Sequence, residues 1–406
     1  MYCTPTDKRR KKTAPHLTFR ISGGYHFSVS HITLPAALCF RSVFCPTVCT
    51  ERNLAMKRLT LPALVLTLGL LLTGCVGNPQ PSPTADPTPS PTATPTQAPT
   101  TSPTAGDDRP VVNVVMLSGP TGMGSAKLMA DAEAGTTALD YRFTVDPDAT
   151  AIPAKLTSGE VDIAAIPTNV AANLFNKTGD VQMLALNTLG VLYILEQGDS
   201  ISSMTDLIGK TIYAPANTRG ANPEFVLNFL LEQNGLTPGT DVTIEWLAAD
   251  ELTAQAASGD IDVCMLPVPA ATTVLMKNSD MRQALDLTEE WDLTVTDGSV
   301  LTMGCVVART EFIEANPGVV DTFLTEYAAS ISYVRDNAEE ASELVAQYGI
   351  TPSAAIAAAA IPQANLVCVT GLDMAASIQG YYEVLWAADP TSIGGSIPSD
   401  GLYYVP

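Results

Sequence analysis

One segment of this chain occurs twice. Residues 158–177 (SGEVDIAAIPTNVAANLFNK) and 258–277 (SGDIDVCMLPVPAATTVLMK) lie 100 residues apart and align without a gap. Each copy predicts a helix end, a Ser-Gly turn, a buried strand (161–166 and 261–266), a loop that contains proline, and a further helix. Ligands of open α/β sheets bind beyond the carboxyl ends of the strands. Two facing copies therefore predict a cleft with one wall from each copy.

The first quarter of the chain is predicted to lie outside the folded core. Residues 56–75 combine a short basic start, a 16-residue apolar run and Cys75. The run is shorter than the ~20 residues that span a bilayer, which favours a cleaved secretory signal over a membrane anchor helix. Leu72-Thr73-Gly74-Cys75 resembles a bacterial lipobox, which implies lipidation at Cys75. Residues 1–55 precede this signal and are interpreted as an extension from a mis-assigned start codon, with Met56 as the true start.

Residues 76–106 predict a tether. This stretch of 31 residues holds nine prolines among Ser and Thr, a composition that favours extended polyproline II conformation over a packed core. At ~3.1 Å per residue it reaches on the order of 90 Å. It is long enough to hold a domain away from a membrane surface, with or without O-glycosylation.

The remaining residues 107–406 are strongly acidic. They carry 11 Lys and Arg against 39 Asp and Glu, a net charge of −28. Phosphate binding requires a basic face, so nucleic acid is not expected as a partner. The acidity is expected to keep an exported domain soluble, and a cation-binding surface is the alternative.

The histidines and cysteines exclude several kinds of site. All three histidines (His16, His26, His31) precede the signal, so Ser-His-Asp triads and His-ligated zinc are excluded from the mature region. No metal and no cofactor is expected. The three thiols after the signal are interpreted as buried small side chains, and a disulfide between two of them stays open: Cys264, Cys305 and Cys368.

Strands and helices alternate along residues 107–310, which predicts an α/β fold with mostly parallel sheets flanked by helices. Predicted strands lie at 111–119, 141–145, 161–166, 181–198, 211–214, 242–248, 261–266 and 299–309. Predicted helices lie at 120–135, about 149–158, from about 223, at 250–257 and from Asn316. The runs at 189–196 and 299–309 predict two crossings between lobes. Lobe one is then 107–193 plus 305–406, and lobe two is 197–298.

These features resemble a known family. The SGEVDIAAIP unit, the DLIGKTI strand entry and the helical segment that starts at ANPGVVDTFLTEY are similar to ABC-importer solute-binding proteins. The similar group takes up nitrate, sulfonates, taurine and thiamine-pyrimidine precursors. The resemblance implies a two-lobed type II periplasmic-binding-protein fold with a two-strand hinge, and a small solute bound between the lobes. It also implies a monomer at the extracytoplasmic membrane face that delivers solute to an ABC permease.

In lobe one, polar residues follow the predicted strands at their carboxyl ends. The loop after the first strand offers backbone N–H groups and hydroxyls at a helix start, which suits an anionic or polar group. It has neither a Walker lysine nor a GxGxxG motif, which disfavours nucleotide binding. The candidate ligand-binding residues of lobe one are Ser118, Gly119, Thr121, Gly122, Met123, Thr168, Asn169, Asn187 and Thr188.

In lobe two, the equivalent loop carries one cation. Arg219 could pair with a carboxylate, sulfonate or phosphate, and a solvated surface arginine is the alternative. The candidate ligand-binding residues of lobe two are Asn217, Thr218, Arg219, Gly220 and Val268. A pocket with one arginine and few aromatic residues favours a small anionic or zwitterionic solute.

Two other functions fit the same fold. One is an enzyme similar to the pyrimidine synthases that use Lys and His with pyridoxal phosphate, which the absence of His in the mature region disfavours. The other is a sensory module that transmits closure to a membrane kinase. Solute binding requires only hydrogen bonds and closure, and is the preferred interpretation.

Overall fold

The computed structural model describes residues 109–406. The predicted extension, signal, lipobox Cys75 and tether lie outside the described residues. Eleven strands are described, and they are β1 (Val111–Leu117), β2 (Asp140–Asp146), β3 (Ile163–Pro167), β4 (Val181–Leu189), β5 (Leu192–Gln197), β6 (Thr211–Pro215), β7 (Thr243–Leu247), β8 (Val263–Pro267), β9 (Met281–Asp286), β10 (Thr302–Arg309) and β11 (Leu366–Thr370).

Helices connect and flank these strands. The α-helices of the described residues are α1 (Pro120–Met123), α2 (Ala126–Glu133), α3 (Ile152–Ser158), α4 (Thr168–Thr178), α5 (Asn222–Gln233), α6 (Ala249–Ser258), α7 (Ala270–Lys277), α8 (Leu287–Thr294), α9 (Thr310–Ala315), α10 (Pro317–Asp336), α11 (Ala338–Gln347), α12 (Ala354–Ala360) and α13 (Gly371–Ala388). A 3₁₀ turn at Ile361–Gln363 follows α12 directly.

The strands form two sheets with matching topology. The six-stranded sheet has the order β11-β4-β10-β3-β1-β2, and the five-stranded sheet has the order β7-β6-β8-β5-β9. Reversing the second order aligns β9, β5, β8, β6 and β7 with β4, β10, β3, β1 and β2. We call the six-stranded sheet with its helices lobe one and the five-stranded sheet with its helices lobe two. The α/β fold predicted from the sequence is confirmed.

The repeated segment has one structure in both lobes. Gly159 ends α3 at φ 75°, and Gly259 ends α6 at φ 84°. This left-handed conformation favours glycine because it has no Cβ. The strands that follow, β3 and β8, are each five residues long and are buried at their first four positions. The duplication therefore extends from the sequence to backbone conformation and burial.

The sheets are mixed, which corrects the expectation of mostly parallel sheets. Pairing is parallel among β1, β2 and β3, and among β6, β7 and β8. However, β10 runs antiparallel to both of its neighbours, and so does β5. Each of these two strands follows a crossing from the other sheet, so it enters its new sheet in the opposite direction. The alternation of strands and helices does not reveal this reversal.

The C-terminal region contains a strand in addition to the helical structure predicted from Asn316 onward. Residues 366–370 form β11, which pairs antiparallel with β4 at the edge of lobe one. Helix α13 then packs against α5 in lobe two as well as against β4 and β11 in lobe one. The region after residue 350 therefore packs against both lobes, whereas the sequence assigned it to lobe one alone.

The core is continuous across the crossings. One hydrophobic cluster contains Val307 and Leu186 of lobe one together with Ile194 and Leu227 of lobe two. Trp291 of α8 is fully buried in this cluster, and its indole N–H donates to the Ser299 carbonyl at 2.9 Å. At roughly 25 cal/mol per Å², burial of such a ring is a large apolar contribution to stability.

Candidate functional site

The loop after β1 is held by its own backbone hydrogen bonds. The Ser118 N–H donates to the Asp146 carbonyl at 3.0 Å, and the Gly119 N–H donates to the Ile350 carbonyl at 2.9 Å. The Gly122 N–H donates to the Gly119 carbonyl at 3.0 Å. These three groups were candidate donors to a ligand, and in this structure they serve the loop instead. Side-chain hydroxyls are therefore the more available polar groups here.

The predicted helix over 120–135 is interrupted. It consists of α1 and α2, separated at Gly124 and Ser125. A Cβ on Gly124 would lie 2.6 Å from Cγ1 of Ile331, so close packing against α10 requires glycine at this position. Within α1, Met123 is fully buried and Thr121 is 8% exposed. Met123 is thus a core residue, while Thr121 stands at the edge of the core.

A buried amide organises the polar residues of lobe one. The Asn187 Nδ2 donates to the Thr121 carbonyl and to the Tyr327 hydroxyl, both at 2.9 Å. The Thr188 hydroxyl donates to Asn187 Oδ1 at 3.1 Å. Burial raises the pKa of Tyr327 far above its ordinary value, so this hydroxyl stays protonated.

The same network continues to the start of α4. The Thr302 hydroxyl donates to the Thr188 carbonyl, and the Thr168 hydroxyl donates to the Thr302 carbonyl, both at 3.1 Å. Both hydroxyls belong to fully buried residues. The structure thus brings four sequence candidates into one chain of hydrogen bonds: Thr121, Asn187, Thr188 and Thr168.

Gly304 of β10 leaves room for two side chains of this network. A Cβ at this position would lie 2.7 Å from both the Thr121 hydroxyl and Asn187 Oδ1. Sequence reasoning missed Gly304, Thr302 and Tyr327. In the sequence, Tyr327 recurs with Val320, Phe323 and Ile331 at helical spacing, a pattern that indicates only an apolar helix face.

The loop between β6 and α5 presents its residues to solvent. Asn217, Arg219 and Gly220 are exposed, whereas Thr218 is buried and its hydroxyl donates to the Pro215 carbonyl at 2.6 Å. The Gly220 N–H donates to the carboxylate of Glu224. Within residues 109–406, no side-chain hydrogen bond or ion pair involves Arg219.

Val268, which directly follows β8, and Asn169, the second residue after β3, have different surroundings. Val268 is buried, and its N–H donates to the Val191 carbonyl at 3.0 Å beside the first crossing. Asn169 is part-buried and lines a separate cavity of about 270 Å³ near Pro153 and Ser392. Asn169 directly follows Thr168, but the cavity that it lines includes no residue of the Thr121 network.

Two adjacent tyrosines of α13 connect the lobes. The Tyr382 hydroxyl donates to the Thr168 carbonyl in lobe one at 2.9 Å. The Tyr381 hydroxyl accepts a hydrogen bond of 2.8 Å from Nδ2 of Asn222, at the start of α5 in lobe two. Burial raises the pKa of both tyrosines well above the ordinary value. These two neighbouring residues of α13 therefore bind the first residues of α4 and α5, which lie next to candidate ligand-binding residues of the two lobes.

Gln363 makes a second connection between the lobes. Its carbonyl accepts from the Tyr193 hydroxyl at 2.7 Å, and its Oε1 accepts from the Thr272 hydroxyl at 3.1 Å. Tyr193 lies on β5 and Thr272 on α7, both in lobe two. The region after residue 350 thus contacts lobe two at two separate places.

The described residues hold neither a metal cluster nor a membrane-spanning helix. Across 109–406, no three His, Cys, Asp or Glu side chains come together in a way that could hold a metal ion. No helix in the same range combines the length and apolarity needed to cross a bilayer. The three cysteines of this range are free: Cys264, Cys305 and Cys368.

Known structures share this architecture. An ABC transporter structure from Parabacteroides distasonis superposes with a TM-score of 0.60 at 20% identity, covering 73% of this chain and 98% of that chain. The periplasmic aliphatic sulphonate binding protein SsuA of Escherichia coli gives 0.58 at 17% identity, with coverage of 73% and 92%. The periplasmic sulfonate-binding protein SsuA of Methylobacillus flagellatus gives 0.52 at 20% identity, with coverage of 70% and 88%.

Sequence comparison adds a family match over part of the chain. Residues 181–341 match the family described as NMT1/THI5 like. No curated protein sequence matches the chain. The resemblance stated from the sequence is thereby confirmed in its fold and in this region. The chain has the periplasmic-binding-protein fold and contains an NMT1/THI5-like region over residues 181–341.

Proposed function

We propose that this protein is the solute-binding component of an ABC importer, anchored at the extracytoplasmic face of the membrane. It captures a small polar solute between its lobes and delivers it to a permease as a monomer, without catalysis. The fold supports this proposal, because its structural neighbours include proteins described as sulfonate-binding and as ABC transporter components. The closing of two lobes on a ligand needs hydrogen bonds and contacts that favour the closed state.

One observation carries the proposal. Hydrogen bonds lead from Thr121 through Asn187 to Thr168 in lobe one, and α13 joins Thr168 to Asn222 in lobe two. Asn222 directly follows the loop that carries Arg219. The first residues of α4 and α5, one from each duplicated half, thus contact one helix, which supports a binding cleft with a wall from each half.

The proposed ligand contacts divide between the lobes. In lobe one we assign hydrogen bonding to the hydroxyls of Thr121 and Ser118, because the backbone N–H groups of Ser118, Gly119 and Gly122 serve the loop itself. In lobe two we assign charge pairing to Arg219, since its guanidinium is exposed and makes no side-chain hydrogen bond or ion pair within the described residues. A guanidinium binds sulfonate or carboxylate through two parallel N–H donors. A small organic anion, for which an alkanesulfonate is the first probe, is the proposed solute.

Membrane attachment is proposed from residues that precede the described range. The Leu72-Thr73-Gly74-Cys75 sequence supports lipidation at Cys75, and residues 76–106 supply the tether. Mass spectrometry of protein from its own cells tests both, because a lipidated chain would begin at Cys75 and carry acyl mass. An unmodified Cys75 inside a longer chain would remove the anchor from the proposal.

Ligand binding is tested with a panel of sulfonates, nitrate, amino acids and pyrimidines, measured by thermal shift and then by calorimetry. A ligand that binds only the native state stabilises it by ~2.7 kcal/mol at one hundred times its dissociation constant. Arg219→Ala is expected to weaken an anionic solute about tenfold or more, since a hydrogen bond to a charged group contributes ~1.5–3 kcal/mol.

The control for Arg219→Ala is Arg335→Ala, which removes the same charge from α10. Equal affinity in both variants and the unaltered protein would take Arg219 out of the site. Conversion of any panel compound to product would instead favour the enzyme function.

A further inference from the structure

A groove between α5 and α13 lies outside the proposed cleft. Its volume is about 870 Å³, and residues 294–297 also line it. One wall belongs to lobe two and the other to the C-terminal helix. We propose that this groove binds a linear organic diamine or polyamine.

All charged side chains that line the groove are negative. Four carboxylates line it, Glu224 and Glu232 from α5, Asp297 from the segment after α8, and Glu383 from α13, and none of the lining residues is Lys or Arg. The carboxylate of Glu224 accepts from the Gly220 N–H, and Oδ1 of Asp297 accepts from the Ser299 N–H. Neither carboxylate is neutralised by an ion pair, so the groove attracts cations.

The spacing of these carboxylates favours an extended ligand. Glu224 and Glu232 are eight residues apart on α5, which at 1.5 Å per residue separates their backbones by roughly 12 Å. Glu383 lies on the opposite wall. Single metal ions and monoamines would reach one of these carboxylates at a time, whereas a chain with amino groups at both ends reaches two.

The apolar surface of the groove matches the carbon chain of such a ligand. Phe225 and Phe229 of α5 and Val384 of α13 line it together with the acidic residues. Aromatic faces attract ammonium groups and also pack against methylenes. A purely inorganic cation has no methylenes to pack against this surface.

A carboxamide oxygen on α5 adds a separate indication of a missing donor. Asn228 lines the groove, and its Oδ1 is buried and has no hydrogen-bond partner within the described residues. Buried acceptors are ordinarily paired, and ammonium N–H groups are the donors that this groove would attract.

The test is isothermal calorimetry of the full chain with spermidine and 1,5-diaminopentane in 150 mM NaCl, with butylamine and Mg²⁺ as comparison ligands. We expect saturable 1:1 binding of the two polyvalent amines and much weaker binding of the comparison ligands. The Glu232→Gln/Glu383→Gln double variant should weaken binding about tenfold, since each exposed ion pair contributes a few-fold. Ala388→Trp, which enlarges a side chain that lines the groove, should weaken binding without changing charge.

The matched control is Glu339→Gln/Glu343→Gln on α11, where two exposed carboxylates lie away from the groove. It should leave the affinity unchanged, and all variants should keep the unliganded melting temperature. No saturable binding, or Mg²⁺ binding as tightly as spermidine, would overturn the proposal. An equal loss of affinity in the control pair would also overturn it, since general surface charge would then explain the binding.

Discussion

The Asn222 side chain donates a 2.8 Å hydrogen bond to the hydroxyl of Tyr381, 159 residues later in the chain. Asn222 begins α5 in lobe two, and Tyr381 lies beside Tyr382, which binds the start of α4 in lobe one. The tyrosine pair therefore fixes the ends of two loops that belong to opposite halves of the duplication. A movement of one lobe relative to the other must alter these two hydrogen bonds.

Tyr381→Phe is expected to destabilise the protein by about 1–2 kcal/mol, because it leaves the Nδ2 of the buried Asn222 without an acceptor. Tyr403→Phe is the matched control. The Tyr403 hydroxyl is buried without a hydrogen-bond partner, so its removal should be neutral or stabilising. Urea unfolding of both variants measures the difference, and equal stabilities would show that the Tyr381 bond contributes nothing.

Gly304→Ala is expected to destabilise the polar network of lobe one by about 1–3 kcal/mol, the usual range for overpacking. The added Cβ would lie 2.7 Å from the Thr121 hydroxyl and from Asn187 Oδ1, so one of them must move. Gly318→Ala is the control, because a Cβ there meets no atom within 4 Å. Thermal melting compares the two variants, and a Gly304→Ala protein as stable as Gly318→Ala would contradict the packing argument.

Glu196 makes part of the stability depend on pH. Desolvation alone would raise the pKa of Glu196, but hydrogen bonds from Ser200, Ile201 and Arg282 together lower it. A carboxyl whose folded-state pKa is lowered stabilises the protein above its unfolded value of about 4.3, and this contribution disappears as the pH falls through the folded value. Glu196→Gln should therefore cost about 2 kcal/mol at pH 7 and progressively less below about pH 4.

The comparison for Glu196 is Glu314→Gln, an exposed glutamate on α9. Urea unfolding of both variants at pH 7 and pH 3.5 gives the pH dependence. A deficit in Glu196→Gln that stays constant between these two pH values would exclude the buried carboxylate as its source.

The three cysteines of the described range should react slowly with alkylating reagents. Burial raises the pKa of Cys368 to about 11 and that of Cys264 to about 12, and it raises the pKa of Cys305 further. At pH 8 the thiolate is the reactive form and is scarce at each site. Iodoacetamide followed by peptide mass spectrometry should find Cys368 modified first and Cys264 and Cys305 only after unfolding. Rapid modification of Cys305 in the native protein would contradict its burial.

Local sequence patterns predicted the individual elements well. The Ser-Gly turns at 158–159 and 258–259, the apolar runs after them and the Asn316-Pro317 helix start each combine a backbone preference with a short periodic pattern. Such signals are complete within about ten residues, so they can be interpreted without knowledge of the fold. The C-terminal strand β11 was missed because five residues among helical neighbours carry too little pattern.

Local sequence patterns predicted the candidate site less completely than they predicted the individual elements. Thr121, Thr168, Asn187 and Thr188 were chosen from their places after predicted strands, and their roles in ligand binding remain a prediction. Their partners Tyr327 and Gly304 gave no separate signal, since a tyrosine on an apolar helix face and a glycine in a strand have many uses. The acidic groove was likewise invisible, because its carboxylates come from three separate segments.

By itself, the sequence determined that this protein consists of two related halves, because a repeat with conserved spacing and turn residues imposes the same local structure on each copy. Only the tertiary structure decided that β5 and β10 enter the opposite sheets in antiparallel direction and that α13 reaches both lobes. Contacts such as those of Tyr381 and Tyr382 join residues 159 and 214 positions apart. Their formation depends on how whole lobes pack, and no local periodicity encodes that.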